Sequence, residues 1–418
     1  MTSRDRVIRA INHIETDRIP VDFGATSATG INVSTIYRLY SYLGIKERNP
    51  IVNDAMQLLS KLEEDVREAL LTDVIPLSSP KTKVGTSATN HYQSFDLPDG
   101  TPALIDESIK YYIDEKGNYF FYPKGNKSLP SSMMMTNKGG FFDTIERCEP
   151  DEDSETPRED FSDFESIWDD DIAKYYEAES KFLYKETDYA IACAFGQGGF
   201  GDMAKVPGPT IGYPKGIRTV ESFITAHCLR PDYIHEIFQM QCDAALKNLE
   251  ILKQAVGDRI QIICMGGTDF GTQNGLYYSP EIYRKLYKPY IKRLNDYVHQ
   301  NTNWKTFWHS CGAISELLND FIEAGVDIIN PVQCSAYGME PNYLKDTFGR
   351  RIVFWGGGID TQQTLPFGTP DEVRKQVRER IEIFKKGGGY VFAAIHNILP
   401  NTPPENIVAM LEAIKEYR

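Results

Sequence analysis

A chain of 418 residues with 41% hydrophobic and 25% charged side chains can bury a sizeable core, which excludes general disorder. Its net charge of −14 opposes binding to nucleic acid or to an anionic membrane surface, because both are polyanions. No apolar run approaches membrane-spanning length, Met1 to Arg6 holds no apolar leader core, and seven cysteines without a CxxC pair read as reduced thiols, so a cytoplasmic location is expected.

Residues Ser3 to Asn12 read as a helix, with Ser3 as its N-cap and Val7, Ile8 and Ile11 on one face. Ile19-Pro20-Val21-Asp22-Phe23 reads as a strand that Gly24 ends. Over residues 52 to 71, Ala55, Met56, Leu58, Leu59 and Leu62 recur at helical spacing, so a helix is expected there, left through Asp73-Val74-Ile75-Pro76. Within an elaboration at about 96 to 185, Tyr111-Tyr112-Ile113 and Tyr119-Phe120-Phe121-Tyr122 flank Asp114-Glu115-Lys116-Gly117-Asn118 as a β-hairpin. Met133-Met134-Met135 reads as plastic apolar packing on it. Residues 150 to 171, acid-rich and holding Pro150 and Pro157, read as a solvated connector or lid.

After residue 185 short apolar runs alternate with long helical stretches. The runs are Tyr189 to Phe195, Ile260 to Met265, Thr306 to His309, Asp327 to Asn330, Ile352 to Trp355 and Tyr390 to Ala394. Repeated strand–helix alternation means a parallel sheet, and the lack of a GxGxxG or a P-loop removes the usual signatures of the open nucleotide folds. A closed α/β barrel is expected, with its site at the C-terminal ends of the strands. The polar residues at those ends are Asp22, Asp73, Gln197, Asp269, His309 with Cys311, Asn330 with Gln333, Asp360, and His396 with Asn397. Asp22, Asp73, Gln197, Asn330 and Gln333 are taken as the substrate-binding set.

His309 and Cys311 stand two apart at a strand end, and imidazole with thiolate is a natural pair of zinc ligands. An isolated His-x-Cys is more often a hydrogen-bonded histidine beside an inert cysteine; His396, at another strand end, makes a third ligand of the open catalytic kind available. His396 has a second role open to it, as general acid or base, and Asp269 in its glycine-rich loop is either a catalytic carboxylate or a turn-former. Cys334 is a minor ligand candidate, and His13, His227, His235 and His299 read as surface or capping residues on helices.

Several stretches together resemble the uroporphyrinogen decarboxylase superfamily, in particular its corrinoid-dependent methyltransferase branch. They are Arg4-Asp5-Arg6-Val7 through Arg18-Ile19-Pro20-Val21-Asp22, Ser279-Pro280-Glu281-Ile282-Tyr283, His309-Ser310-Cys311-Gly312, Asn330-Pro331-Val332-Gln333 and Phe354-Trp355-Gly356-Gly357-Gly358-Ile359-Asp360. Further on come Pro366-Phe367-Gly368-Thr369-Pro370-Asp371-Glu372-Val373, Gly387-Gly388-Gly389-Tyr390 to His396-Asn397-Ile398, and Pro404-Glu405-Asn406-Ile407. The resemblance implies a distorted (β/α)8 barrel with an N-terminal helical segment, one domain over residues 1 to 418. Decarboxylases of this kind hold their substrate's carboxylates with an arginine-rich motif ending in RQAGR. Here Phe23-Gly24-Ala25-Thr26-Ser27-Ala28-Thr29-Gly30 has no arginine, so uroporphyrinogen decarboxylation is not expected. The methyltransferase branch uses a zinc site of the form H-x-C followed much later by a second cysteine; His309 and Cys311 match the first part, and His396 occupies the place of the second. The implied activity is zinc-dependent methyl transfer between a small methylated substrate, favoured as a methoxyaromatic compound, and cobalamin on a partner corrinoid protein. Methyl transfer from a methylcobamide to a thiol is the alternative, and a metal-free lyase or small-molecule-binding barrel the second alternative. A homodimer stays open.

Overall fold

The computed structural model describes residues 1–149, 151 and 153–417, so Pro150 of the acid-rich connector lies outside the described residues. Helix α1, Ser3–Ile11, is capped one residue earlier than expected: Thr2 Oγ1 accepts the Asp5 amide at 3.1 Å, and Asp5 Oδ2 accepts the Thr2 amide at 3.4 Å. Its buried face, Arg6, Val7, Ala10 and Ile11, covers the underside of a parallel sheet.

That sheet has seven strands in chain order: β1 Val74–Leu77, β2 Ala190–Ala194, β3 Ile262–Gly267, β4 Lys305–His309, β5 Ile328–Asn330, β6 Val353–Trp355 and β7 Tyr390–Val391. Every neighbouring pair is parallel. Residues 20–22 bond to both of its edges. The Phe392 amide donates to Pro20 O at 2.9 Å and the Asp22 amide to Phe392 O at 2.8 Å, while the Asp73 amide donates to Val21 O at 2.7 Å. The sheet is thereby curled into a distorted TIM-type barrel with the short segment 20–22 in the eighth position.

Strand alternation decides what faces where. Ala192, Ile262, Phe307, Ile328, Trp355 and Val391 fill the interior, and Ile191, Ile263, Trp308, Ile329 and Phe354 face the surrounding helices. With a period of two, His309 follows Phe307 and Asn330 follows Ile328 onto the inner side at the mouth. Long helices lie between the strands, among them α2, Pro231–Val256, and Pro370–Phe384, which begins with a Thr369–Glu372 capping box.

The hairpin expected around Asp114 is present, with Tyr111–Ile113 antiparallel to Tyr119–Phe121, and it widens into a four-stranded sheet through Met133–Met135 and Asp143–Thr144. This insertion has its own core, in which Phe121 stacks on Phe142 at 3.8 Å, and Met133 and Met135 are buried in it. It sits on the mouth: Lys124 N donates to Val84 O beyond β1, and Arg147 Nη1 donates to Ile211 O at 2.6 Å beyond β2.

Two expectations are corrected. Residues 52–71 are not one helix; Val52–Asp54 pairs with Leu59–Ser60, and helix appears only at Glu64–Ala69. The Asp54 carboxylate accepts the Met56 and Gln57 amides and bends the chain where helical spacing suggested continuity. Asp73 stands before β1, at the end of the barrel away from the mouth, with no exposure. It is no substrate ligand, because its carboxylate is saturated by Ser3 Oγ (2.6 Å), Arg6 Nη1 (2.9 Å), both Arg18 Nη atoms (2.7 and 2.5 Å) and the Val21 amide (3.0 Å). Removing one member of a buried ion cluster strands the others, at roughly 3–5 kcal/mol. Asp73→Ala is therefore expected to lower the stability by about that amount in denaturant unfolding, and a loss under about 1 kcal/mol would contradict its place as the closing tie.

Candidate metal centre

The side chains of His309 at the end of β4, Cys311 two residues on and His396 beyond β7 each bring one ligand atom into a cluster in which all lie within 4.8 Å of one another. Cys311 Sγ is 3.3 Å from His309 Nε2, and the two imidazole rings meet edge-on with centroids 5.2 Å apart. All three are partly buried.

Two of the three side chains are aimed by neighbours. Asn330 Nδ2 donates to Trp355 O at 2.9 Å, which leaves Asn330 Oδ1 to accept His309 Nδ1 at 2.6 Å. The His309 proton is therefore on Nδ1, and the Nε2 lone pair points at Cys311. The Cys311 amide donates to Asp269 Oδ1 at 2.7 Å and the Gly312 amide to Gln333 Oε1 at 2.9 Å, fixing the turn that carries the thiol. Ser310 Oγ accepts the Phe270 amide at 2.9 Å and joins this turn to the Asp269 loop. His396 is held with φ +66°, a left-handed backbone that costs a non-glycine residue of order 1 kcal/mol.

Burial, with His309 adding to it against the opposing pull of Asp269, lowers the His396 imidazole to about 4, so at neutral pH its lone pair is free to bind. Burial, reinforced by Asp269, pushes the Cys311 thiol well up, and a metal would have to displace its proton. Asp269 is exposed, with Oδ1 3.6 Å from His309 Nε2, and lies where a carboxylate reaches both the cluster and solvent.

The expected substrate-binding set fares differently. Asn330 and Gln333 are at the mouth, yet their amides are spent on His309, Trp355, Gly312 and Gln273, so they position the ligands instead of meeting a substrate. Gln197 turns to the helix layer, where its Oε1 accepts Asn248 Nδ2 of α2 at 2.7 Å. Asp22 is fully buried inside the barrel, accepting Trp355 Nε1 at 2.9 Å and the Ala25 amide at 3.0 Å. Cys334 stays outside the cluster. His227, read as a surface residue, is buried with Nε2 2.6 Å from Tyr287 OH. Gln273, which joins Gln333 to Ser335 O, was not singled out from sequence, although it lies in the glycine-rich loop that drew attention to Asp269. A cavity of about 380 Å³ beside Arg18, Lys385 and Tyr417 opens at the opposite end of the barrel, where this architecture does not carry out chemistry.

Residues 214–417 match the uroporphyrinogen decarboxylase (URO-D) family model. That stretch, somewhat less than half of the chain, is similar to the family. Uroporphyrinogen decarboxylase of Pelodictyon phaeoclathratiforme is 26% identical over 144 residues, 33% of this chain and 38% of that protein. The enzyme of the same name from Coxiella burnetii is 22% identical over 204 residues, 47% of this chain and 52% of that protein. The chain thus spans about half or less of the length of these relatives. In three dimensions it is similar to a methyltransferase from Methanosarcina mazei, with a TM-score of 0.57 and 16% identity over 100% of this chain and 99% of that one, a likeness of fold.

Burial raises the Asp22 carboxyl to about 6, against the hydrogen bonds from Ala25 and Trp355 that lower it. A carboxyl raised on folding contributes stability that is present in acid and lost as pH rises through the folded value, here about 3 kcal/mol. Relative to wild type, Asp22→Asn should gain about that much stability between pH 4 and 7 in unfolding measured at each pH. A difference that does not change with pH would contradict this.

Proposed function

We propose that the chain is a zinc-dependent methyltransferase that moves a methyl group between a small methylated substrate and cobalamin carried by a partner corrinoid protein. The observation that carries this reading is the convergence of two imidazole nitrogens and one thiol within 4.8 Å at the barrel mouth. The donor set fits zinc: three ligands of the N and S kind, one short of a tetrahedron, which is how catalytic sites keep a place for substrate. The full-length likeness of fold to a methyltransferase supports the same reading.

Bound there, zinc would supply a Lewis acid to a substrate heteroatom, which for the favoured methoxyaromatic ether is the oxygen that becomes phenolate. The protein's part is to hold and orient. Asn330 keeps His309 in the tautomer whose Nε2 is bare, and burial keeps His396 neutral. Asp269, exposed beside them, is placed to hold a proton or a substrate hydroxyl at its outward oxygen, since Oδ1 is already tied to the Cys311 amide. Methyl transfer to a thiol would use the same three ligands and is the alternative direction. The decarboxylase relatives support a second reading, a metal-free lyase. Against it, residues 23–30 form a loop with no arginine, tied down by Asn397 through Gly30 N and Ser27 O.

Protein purified without chelator should contain about one zinc per chain, lost in His309→Ala and Cys311→Ala. A folded wild-type protein that takes up no zinc would overturn the reading. Methyl transfer to or from a cob(I)alamin-loaded partner, over methoxyaromatics, methylamines and thiols, then identifies the substrate. Asn330→Ala removes the acceptor behind His309 together with the donor to Trp355 O, so among molecules shown by unfolding to be native its zinc affinity in a chelator competition should fall about 10–100-fold; an unchanged affinity would show that the orienting bond is idle.

A further inference from the structure

Two lysines stand in the same mouth outside the metal cluster. Lys83 follows β1 and Lys205 follows β2, the two middle positions of the arc that runs from β7 through the closing segment to β4, and so from His396 to His309. Lys205 Nζ donates to Gly196 O at 2.8 Å, and Gly196 is the second residue beyond β2, so the ammonium group is at the barrel's own rim. Both side chains keep nearly half of their exposure, 46% for Lys83 and 44% for Lys205.

Their charges are not equally answered. Lys83 Nζ lies 3.1 Å from Asp54 Oδ2, a carboxylate whose other oxygen already accepts two amides, and this contact holds the Lys83 ammonium above its ordinary range. Lys205 has only Asp202 nearby, at 3.7 Å and beyond hydrogen-bond reach, and Asp202 turns its Oδ1 to the Ala204 amide at 3.0 Å. Among the described residues Gly196 O is the one acceptor within hydrogen-bond distance of Lys205 Nζ, so two of its three N–H bonds are left for another acceptor. Burial, with the neighbouring Lys83 adding to it against the opposing pull of Asp202, lowers the pKa of Lys205.

We propose that Lys205, backed by Lys83, binds a carboxylate of the substrate on the mouth wall between the two histidine-bearing strands. The proposal rests on the reading above in one respect, that a small substrate enters this mouth, and it narrows that substrate to an acid such as a methoxybenzoate.

The test is calorimetric titration of the full-length protein with the methoxybenzoate isomers and the matching uncharged methoxybenzamides, with zinc measured in the same samples. Wild type is expected to bind at least one benzoate isomer about tenfold or more tightly than its amide, with Lys205→Met abolishing that preference and Lys205→Arg keeping most of it. If Lys205→Met has no folding transition, Lys205→Gln, which retains a donor for Gly196 O, makes the same comparison. Equal affinity for acid and amide in wild type, no detectable binding of any benzoate, or a preference that survives in the neutral variant overturns the proposal. A lysine-dependent acid preference in protein that takes up no zinc supports the carboxylate site and sinks the metal reading, whereas one zinc with no acid preference does the reverse.

Discussion

The single carboxylate of Asp73 receives Ser3, Arg6, Arg18 and the backbone of Val21, and in doing so ties α1 and residues 20–22 to the first barrel strand. The rest of the site depends on that tie. His309 and His396 belong to strands β4 and β7, three positions apart in the sheet. In an open sheet those strand ends would be about 14 Å apart, at about 4.8 Å per strand. Their ligand atoms nevertheless lie within 4.8 Å. Curling the sheet until its edges meet at residues 20–22 is what folds this separation inward, so a buried ion cluster at one end of the barrel sets the geometry at the other.

Closure brings the ligands near; polar groups then fix their aim. Asn330 bridges His309 and Trp355, Gln333 bridges Gly312 and Gln273, and Asp269 holds the Cys311 amide. Such bridges favour one arrangement, because a departure breaks hydrogen bonds of the buried Asn330 and Gln333. The strained backbone at His396 fits the same pattern, since its cost is spread over a rim that pins residues 395 and 398 by main-chain bonds to Ile359 and Gly30.

How much of this was legible in the sequence varies with what each residue does. Strand–helix alternation located β2 to β6 to within two residues of their ends and β7 to within three, and the strand-end rule brought His309, Cys311 and His396 to one mouth. Position on a ring is a matter of period, which a sequence carries. The partner of a side chain is not: Asn330, Gln333 and Gln197 were placed correctly along the chain, yet their amides turn to neighbours that only the fold supplies. Asp73 was read at the wrong end of its strand because its apolar run begins at once after the helix, and residues 52–71 mimicked helical spacing until Asp54 bent the chain. Lys83 and Lys205 lie in irregular loops where neither period nor motif marks them, and their meaning comes from the insertion packed around the mouth.

Reading the coordination shell directly tests the central claim, that β4 and β7 jointly present a metal site. X-ray absorption of the protein loaded with one equivalent of zinc should resolve one sulfur at about 2.3 Å and two imidazole nitrogens at about 2.0–2.1 Å, with the sulfur missing in Cys311→Ser. A shell of oxygen and nitrogen alone in wild type would contradict it.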